Sequence, residues 1–169
     1  MLRRLLEAYK SYYDVSAPYS FEGQDFDGFA EFHSYGEKYV LSKKAKLWEV
    51  NAHEYVFFKR VEGLTPLNLA EFLNFMTHQA LKKVQPGPDH MSSDLSLVII
   101  TEHMDAHAEQ LVQKYRFRKT YGFFGVRGWS DLRLAVVDVA NARVVTNGAG
   151  KKMIKAIQPN INLGLHNNQ

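Results

Sequence analysis

The chain has 169 residues, 46% hydrophobic and 23% charged, which suits one domain with a buried core. It contains no cysteine, excluding disulfides, thiolate nucleophiles, cysteine-ligated zinc and iron–sulfur clusters, and a reducing, cytoplasmic setting is expected. The formal net charge of +3 is uneven: residues 114–133 hold six basic side chains against the single acid Asp131, so this stretch carries +5 and leaves −2 for the rest.

Leu2, Leu5, Leu6, Tyr9, Tyr12 and Tyr13 recur at helical spacing and predict an amphipathic opening helix, with Arg3, Arg4, Glu7 and Lys10 opposite. Such a stripe either docks on the core or lies on a membrane surface, and docking is the commoner fate. Glu7, Tyr9 and Lys10 interrupt any secretory core, and no later run reaches the ~20 apolar residues of a membrane helix. The expectation is therefore a soluble protein without integral membrane association.

Pro18 and Gly23 mark a turn, residues 25–32 have strand composition, and Tyr35-Gly36-Glu37 reads as a reversal into a second strand over 38–42. Residues 47–50 and 55–61 carry β-branched and aromatic side chains around Asn51-Ala52-His53, predicting a third long strand or a further hairpin. Thr65 followed by Pro66 signals a helix start, and Leu69, Phe72, Leu73, Met76, Ala80 and Val84 continue the stripe up to the Gln85-Pro86-Gly87-Pro88 breaker. Residues 95–101 form an apolar run expected to be a strand buried on both faces. Met104, Ala108, Leu111, Val112 and Tyr115 predict a helix with Glu102, Asp105 and Glu109 near its start, where acids favour the dipole. Residues 132–139 and 143–146 pair as a hairpin around Ala140-Asn141-Ala142, and the Asn-rich residues 158–169 read as a flexible tail on a domain spanning 1–157.

The order α-β-β-β-α-β-α-β-β predicts a single α+β domain: a mixed, mostly antiparallel sheet with about three packed helices. In topology alone the order resembles restriction-endonuclease-like nucleases. That resemblance implies an acid on the second strand and a Glu-x-Lys or Asp-x-Lys pair on the third, and no such pair fits here. Glu49, Glu54 and Lys59 are the nearest substitutes at the wrong spacing, so the resemblance implies a catalytically silent relative.

Other motifs stop short of a chemistry. Asn147-Gly148-Ala149-Gly150-Lys151-Lys152 is similar to a phosphate loop but lacks its first glycine and its Ser or Thr; it reads as a glycine turn whose two lysines could attract an anion. Gly122-Phe123-Phe124-Gly125 matches a GxxG spacing without the flanking helices. His103 and His107, four apart on the expected helix, could share a metal ion if His53, His78, His90 or Asp131 joined them; otherwise they sit on an exposed helix face. Asp25 and Asp27 share one face of a candidate strand as capping or solvated acids. No catalytic residue and no cofactor is assigned.

The basic stretch interleaves its cations with Tyr115, Phe117, Tyr121, Phe123, Phe124 and Trp129. As a strand it would put Tyr115, Phe117, Lys119, Tyr121 and Phe123 on one face and Arg116, Arg118 and Phe124 on the other. The plain reading is core aromatics under a solvated basic face. In the functional reading Arg116, Arg118, Lys119, Arg127 and Arg133 neutralise a nucleic acid or other polyanion, while Tyr121, Phe124 or Trp129 stacks on it. The alternative is a protein-interaction or self-associating domain that uses the same rings in a homo-oligomer.

Overall fold

The apolar runs at residues 95–100 and 134–137 are buried on both faces, the condition of a strand inside a sheet that helices cover on two sides. The computed structural model describes residues 1–39, 46–86 and 90–166. Its elements are α1 (Leu2–Tyr9), β1 (Asp14–Ser16), β2 (Tyr19–Phe21), β3 (Gln24–Phe26), β4 (Gly28–Tyr39), β5 (Lys46–Leu64), α2 (Pro66–His78), β6 (His90–Met104), α3 (Ala106–Lys114), β7 (Arg118–Thr120), β8 (Trp129–Asp138), β9 (Arg143–Thr146) and α4 (Ile154–His166). A seven-stranded sheet runs β1-β4-β5-β6-β8-β7, with β9 also on β8. The pairings of β5 with β6 and of β6 with β8 are parallel, and the others are antiparallel. The chain is a single α+β domain, as the order of elements predicts.

Side-chain alternation divides the interior in two. Phe29, Phe57, Leu97, Ile99, Leu134 and Val136 meet Leu69, Phe75 and Met76 of α2 and Val112 of α3. Ala30, Val56, Phe58, Val98, Ala135 and Val137 meet Leu5, Leu6 and Tyr9 of α1 and Ile157 and Ile161 of α4. Phe57 and Phe58 are fully buried on opposite faces, each worth about 1.5–3 kcal/mol in transfer free energy. Thr65 starts α2 as read from the sequence: its hydroxyl accepts from Asn68 N, and the Asn68 side chain accepts from Thr65 N.

Four expectations are corrected. Tyr35-Gly36-Glu37 does not reverse the chain, because β4 pairs with β5 through Gly36↔Val50 as far as Tyr39; the end of the strand expected over 38–42 lies outside the described residues. Residues 19–26, expected as a turn and the start of a strand, form the β2-β3 hairpin, because Glu22 and Gly23 both take positive φ (49° and 78°) and so close a tight two-residue turn. Residues 158–166 continue α4 instead of leaving as a tail, since Ile157 and Ile161 fall one turn apart and are buried against α1 and the sheet. His103 lies in β6, which stays paired with β5 up to Leu64↔Met104; α3 starts only after Asp105, whose carboxylate accepts from the backbone of His107 and Ala108. None of the described helices is long and apolar enough to cross a membrane.

Candidate functional site

The basic aromatic stretch begins where α3 ends. Only Arg118–Thr120 forms strand, paired with Trp129–Asp131, and residues 121–128 then project as a finger. Hydrogen bonds fix its shape: Tyr121 N donates to Gly128 O (2.9 Å), Arg127 N to Tyr121 O (3.1 Å) and Gly128 N to Gly125 O (2.9 Å). Three glycines and Phe124 adopt positive φ there, and at Phe124 (54°) that conformation is strained for a side chain with a Cβ. At the tip Phe123 is 80% exposed, Phe124 92% and Val126 72%, with the two rings edge to face at 4.3 Å.

The five cations assigned to a polyanion do not converge. Arg118 grips Asp131 through two hydrogen bonds of 2.6 Å and lies over the Trp129 ring. Arg133 reaches inward to Glu54 (3.3 Å) and to Asp94, each of these side chains about a fifth exposed. Lys119 pairs opposite Ser130, on the other face of the sheet from Arg118, and lies 5.7 Å from the Tyr121 ring. Arg127 is engaged by a neighbour. Arg116 is exposed and has no ionic or hydrogen-bond partner among the described residues. The rings divide likewise. Tyr121 is half-buried with its hydroxyl on Ser130 (3.0 Å), Trp129 is half-buried, and only Phe124 with its neighbour Phe123 is fully presented.

A cleft of about 450 Å³ lies beside the finger's base, between residues 115–118 and 147–149. Its floor is Asn147, which is 1% exposed. Asn147 Oδ1 accepts from Leu134 N (3.0 Å) and Gly150 N (2.8 Å), and its Nδ2 donates to Leu132 O (2.9 Å). The glycine turn and residues 115–118 of the basic stretch, more than 25 positions apart in sequence, thus form opposite walls of one depression. Arg116 Nη1 is 3.4 Å from the position a Gly148 Cβ would take.

A second polar cluster occupies the start of the parallel strands under α1. Register places Glu54, Asp94 and Asp131 in one row across β5, β6 and β8, with Arg133 two residues further along. Tyr13 donates to Glu54 (2.8 Å), as does Ser96 at 3.4 Å. Burial first, and the Glu54 charge second, hold the Tyr9 and Tyr13 hydroxyls well above the usual phenol range, so they remain protonated donors. Burial also raises the Asp94 carboxyl, against the lowering pull of Arg133. Sequence reasoning missed this cluster, though a signal was present: Asp94 and Ser96 precede Val98 and Ile100 on one face of β6, just as Asp131 and Arg133 precede Ala135 and Val137 on β8.

Glu54 and Lys59 are an odd number of residues apart on β5 and point to opposite faces, and Lys59 Nζ donates to Asp25 O, so no carboxylate–lysine pair of the nuclease type assembles from them. The Glu49 and His90 side chains lie outside the described residues. His103 and His107 share no helical face, and His107 Nδ1 is 3.5 Å from Asp105. His33 and His53 instead meet across β4 and β5, with Nδ1 atoms 2.8 Å apart. Among the described residues no group of three or more His, Asp or Glu is placed to hold a metal ion. Asp27 is bound to Arg60 (2.9 Å) and Asp25 accepts from Ser20, so these acids serve structure.

No curated protein and no solved structure shows significant similarity to the chain. A family model does match it over residues 1–159, nearly its whole length. On that match the chain belongs to the family described as Domain of unknown function (DUF8052).

Proposed function

We propose that the domain is a non-enzymatic binding module for an anionic strand, with single-stranded nucleic acid as the ligand class that uses both its charge and its rings. The observation that carries this reading is the finger: Phe123 and Phe124 stand exposed on a hydrogen-bonded loop, close in sequence to the exposed cations Arg116 and Lys119. Any base can stack on such a ring, contributing roughly 1–3 kcal/mol. The footprint is smaller than five converging cations would give, because Arg118 and Arg133 are already matched by carboxylates.

Fluorescence anisotropy with a labelled oligothymidylate tests the reading. Binding is expected to weaken from 50 to 200 mM salt with a logarithmic slope of about −1.4, the value for two phosphate contacts on a single strand. Phe123→Ser combined with Phe124→Ser raises Kd at least tenfold. Absence of binding at 50 mM salt, or binding indifferent to both salt and these substitutions, refutes it.

A second reading rests on Val126, an aliphatic side chain that stacks poorly on bases. With the two rings it makes an exposed apolar patch on the order of 400 Å², the scale of a protein contact. Light scattering distinguishes the two: a dimer that dissociates on dilution and on the paired Phe→Ser change supports self-association, and a monomer throughout removes it.

A further inference from the structure

We infer that the cleft between residues 115–118 and 147–149 is a phosphate-binding site, taking either a phosphate of a nucleic-acid strand or a free phosphorylated small molecule. The inference deepens the anionic-strand reading and rests on it for the first source only. Two guanidinium groups line the cleft. Arg116 is unpartnered among the described residues, and Arg118 uses Nε and Nη2 on Asp131, leaving Nη1 free of any described hydrogen bond. Asp131 is the acid in the wall, and Arg118 neutralises it, so the depression retains the positive charge of Arg116. Lys151 and Lys152 lie exposed just beyond the opposite wall and add to the local field.

The shape is set independently of any ligand. Asn147 is bonded to backbone groups of β8 and of Gly150, and the Arg116 guanidinium lies over the turn, with Nη1 at contact distance from where a Gly148 Cβ would stand. Guanidinium groups offer paired N–H donors that match phosphate oxygens, which an ammonium does not. The span from Arg118 to Phe123 is five residues, at most about 17 Å of extended chain, so one strand could place a phosphate in the cleft and a base on the finger.

Isothermal calorimetry of the whole chain with inorganic pyrophosphate provides the direct test. Saturable binding is expected at 50 mM salt. Arg116→Ala weakens it about tenfold, the loss of one charge-assisted pair. Gly148→Val weakens it comparably, its γ-methyls crowding Arg116 while every charge stays in place, whereas Lys10→Ala, an equal charge loss just past the end of α1, changes it less than twofold. No pyrophosphate binding, or equal losses from Arg116→Ala and Lys10→Ala, overturns the site. Hexathymidylate with a 5′-phosphate or a 5′-hydroxyl separates the sources: tighter binding of the phosphorylated form that Arg116→Ala abolishes assigns the cleft to a strand end. Pyrophosphate binding without oligonucleotide binding keeps the site and refutes the strand reading. Oligonucleotide binding that depends on Phe123 and Phe124 but not on Arg116 or the 5′-phosphate, with no response to pyrophosphate, keeps the strand reading and refutes the site.

Discussion

Replacing Arg133 by methionine keeps an unbranched apolar stem and removes the cation that Glu54 and Asp94 share. Two contacts of this kind have a gross attraction of roughly 8 kcal/mol at an effective dielectric constant near 20, offset by several kcal/mol for dehydrating the three charges. Losing one partner of a fully buried pair costs about 3–5 kcal/mol; here solvent screening of groups that remain about a fifth exposed lowers the expected cost to about 2–3 kcal/mol at pH 7. In a chain of this size that corresponds to a Tm lower by about 5–10 °C. Urea unfolding at pH 7 and pH 4 measures it. Asp94 already has a carboxyl raised by burial, so its contribution to stability is full below the unfolded carboxylate range and is lost as pH rises through its higher folded value. Without Arg133 that value rises further, so the gap between variant and parent should narrow on acidification. A cost that is the same at both pH values, or absent at pH 7, refutes the argument.

Phe124→Gly should stabilise the chain by about 0.5–1 kcal/mol in a thermal melt, since Phe124 holds φ 54° with its ring in solvent, while weakening ligand binding; lower stability would show that the ring packs after all. Asn147→Ala leaves Leu134 N and Leu132 O without the side-chain amide that answers them, while Gly150 N keeps the Asn147 backbone oxygen, and it should cost about 2–3 kcal/mol by urea titration. Gly150→Ala would bring a Cβ to 2.3 Å from Leu134 O, a backbone atom that cannot move aside, so a loss of at least ~2 kcal/mol or failure to fold is expected. Asp138 works opposite to Asp94. Burial would raise its carboxyl, but hydrogen bonds from Asn141 and Arg143 outweigh burial and lower it, so its contribution is present above the unfolded carboxylate range and lost as pH falls through its folded value. Asp138→Asn should therefore flatten the acid limb of a stability profile.

Local chemistry made much of the fold legible. Thr65-Pro66 and its apolar spacing gave α2, the β-branched run at 95–101 gave the middle of β6, and the turn at 140–142 gave the β8-β9 hairpin. The misread elements are those that tertiary pairing decides. Gly36 is a turn former held in a strand by its partner Val50, His103 is kept out of the helix by the ladder to β5, and Gln158, Pro159, Asn160 and Asn162 of α4 hide the buried Ile157 and Ile161. For the site, alternation correctly separated Lys119 from Arg118, and composition found the rings of the finger. That Arg133 is answered by Glu54 and Asp94, and that Arg116 meets Gly148, follows from register and packing between segments remote in sequence.

Asn147 also closes the rim of the sheet between two short strands. β7 covers β8 at residues 129–131 and β9 covers it at 135–138; between them the Asn147 amide answers Leu132 O and Leu134 N as a strand backbone would. The outer rim of the sheet therefore has no open rung at that point for a stray extended peptide to grip. Two bare phenylalanines on the finger are therefore not joined, at residues 132–134, by an uncapped ladder of the kind that templates lateral growth into fibres.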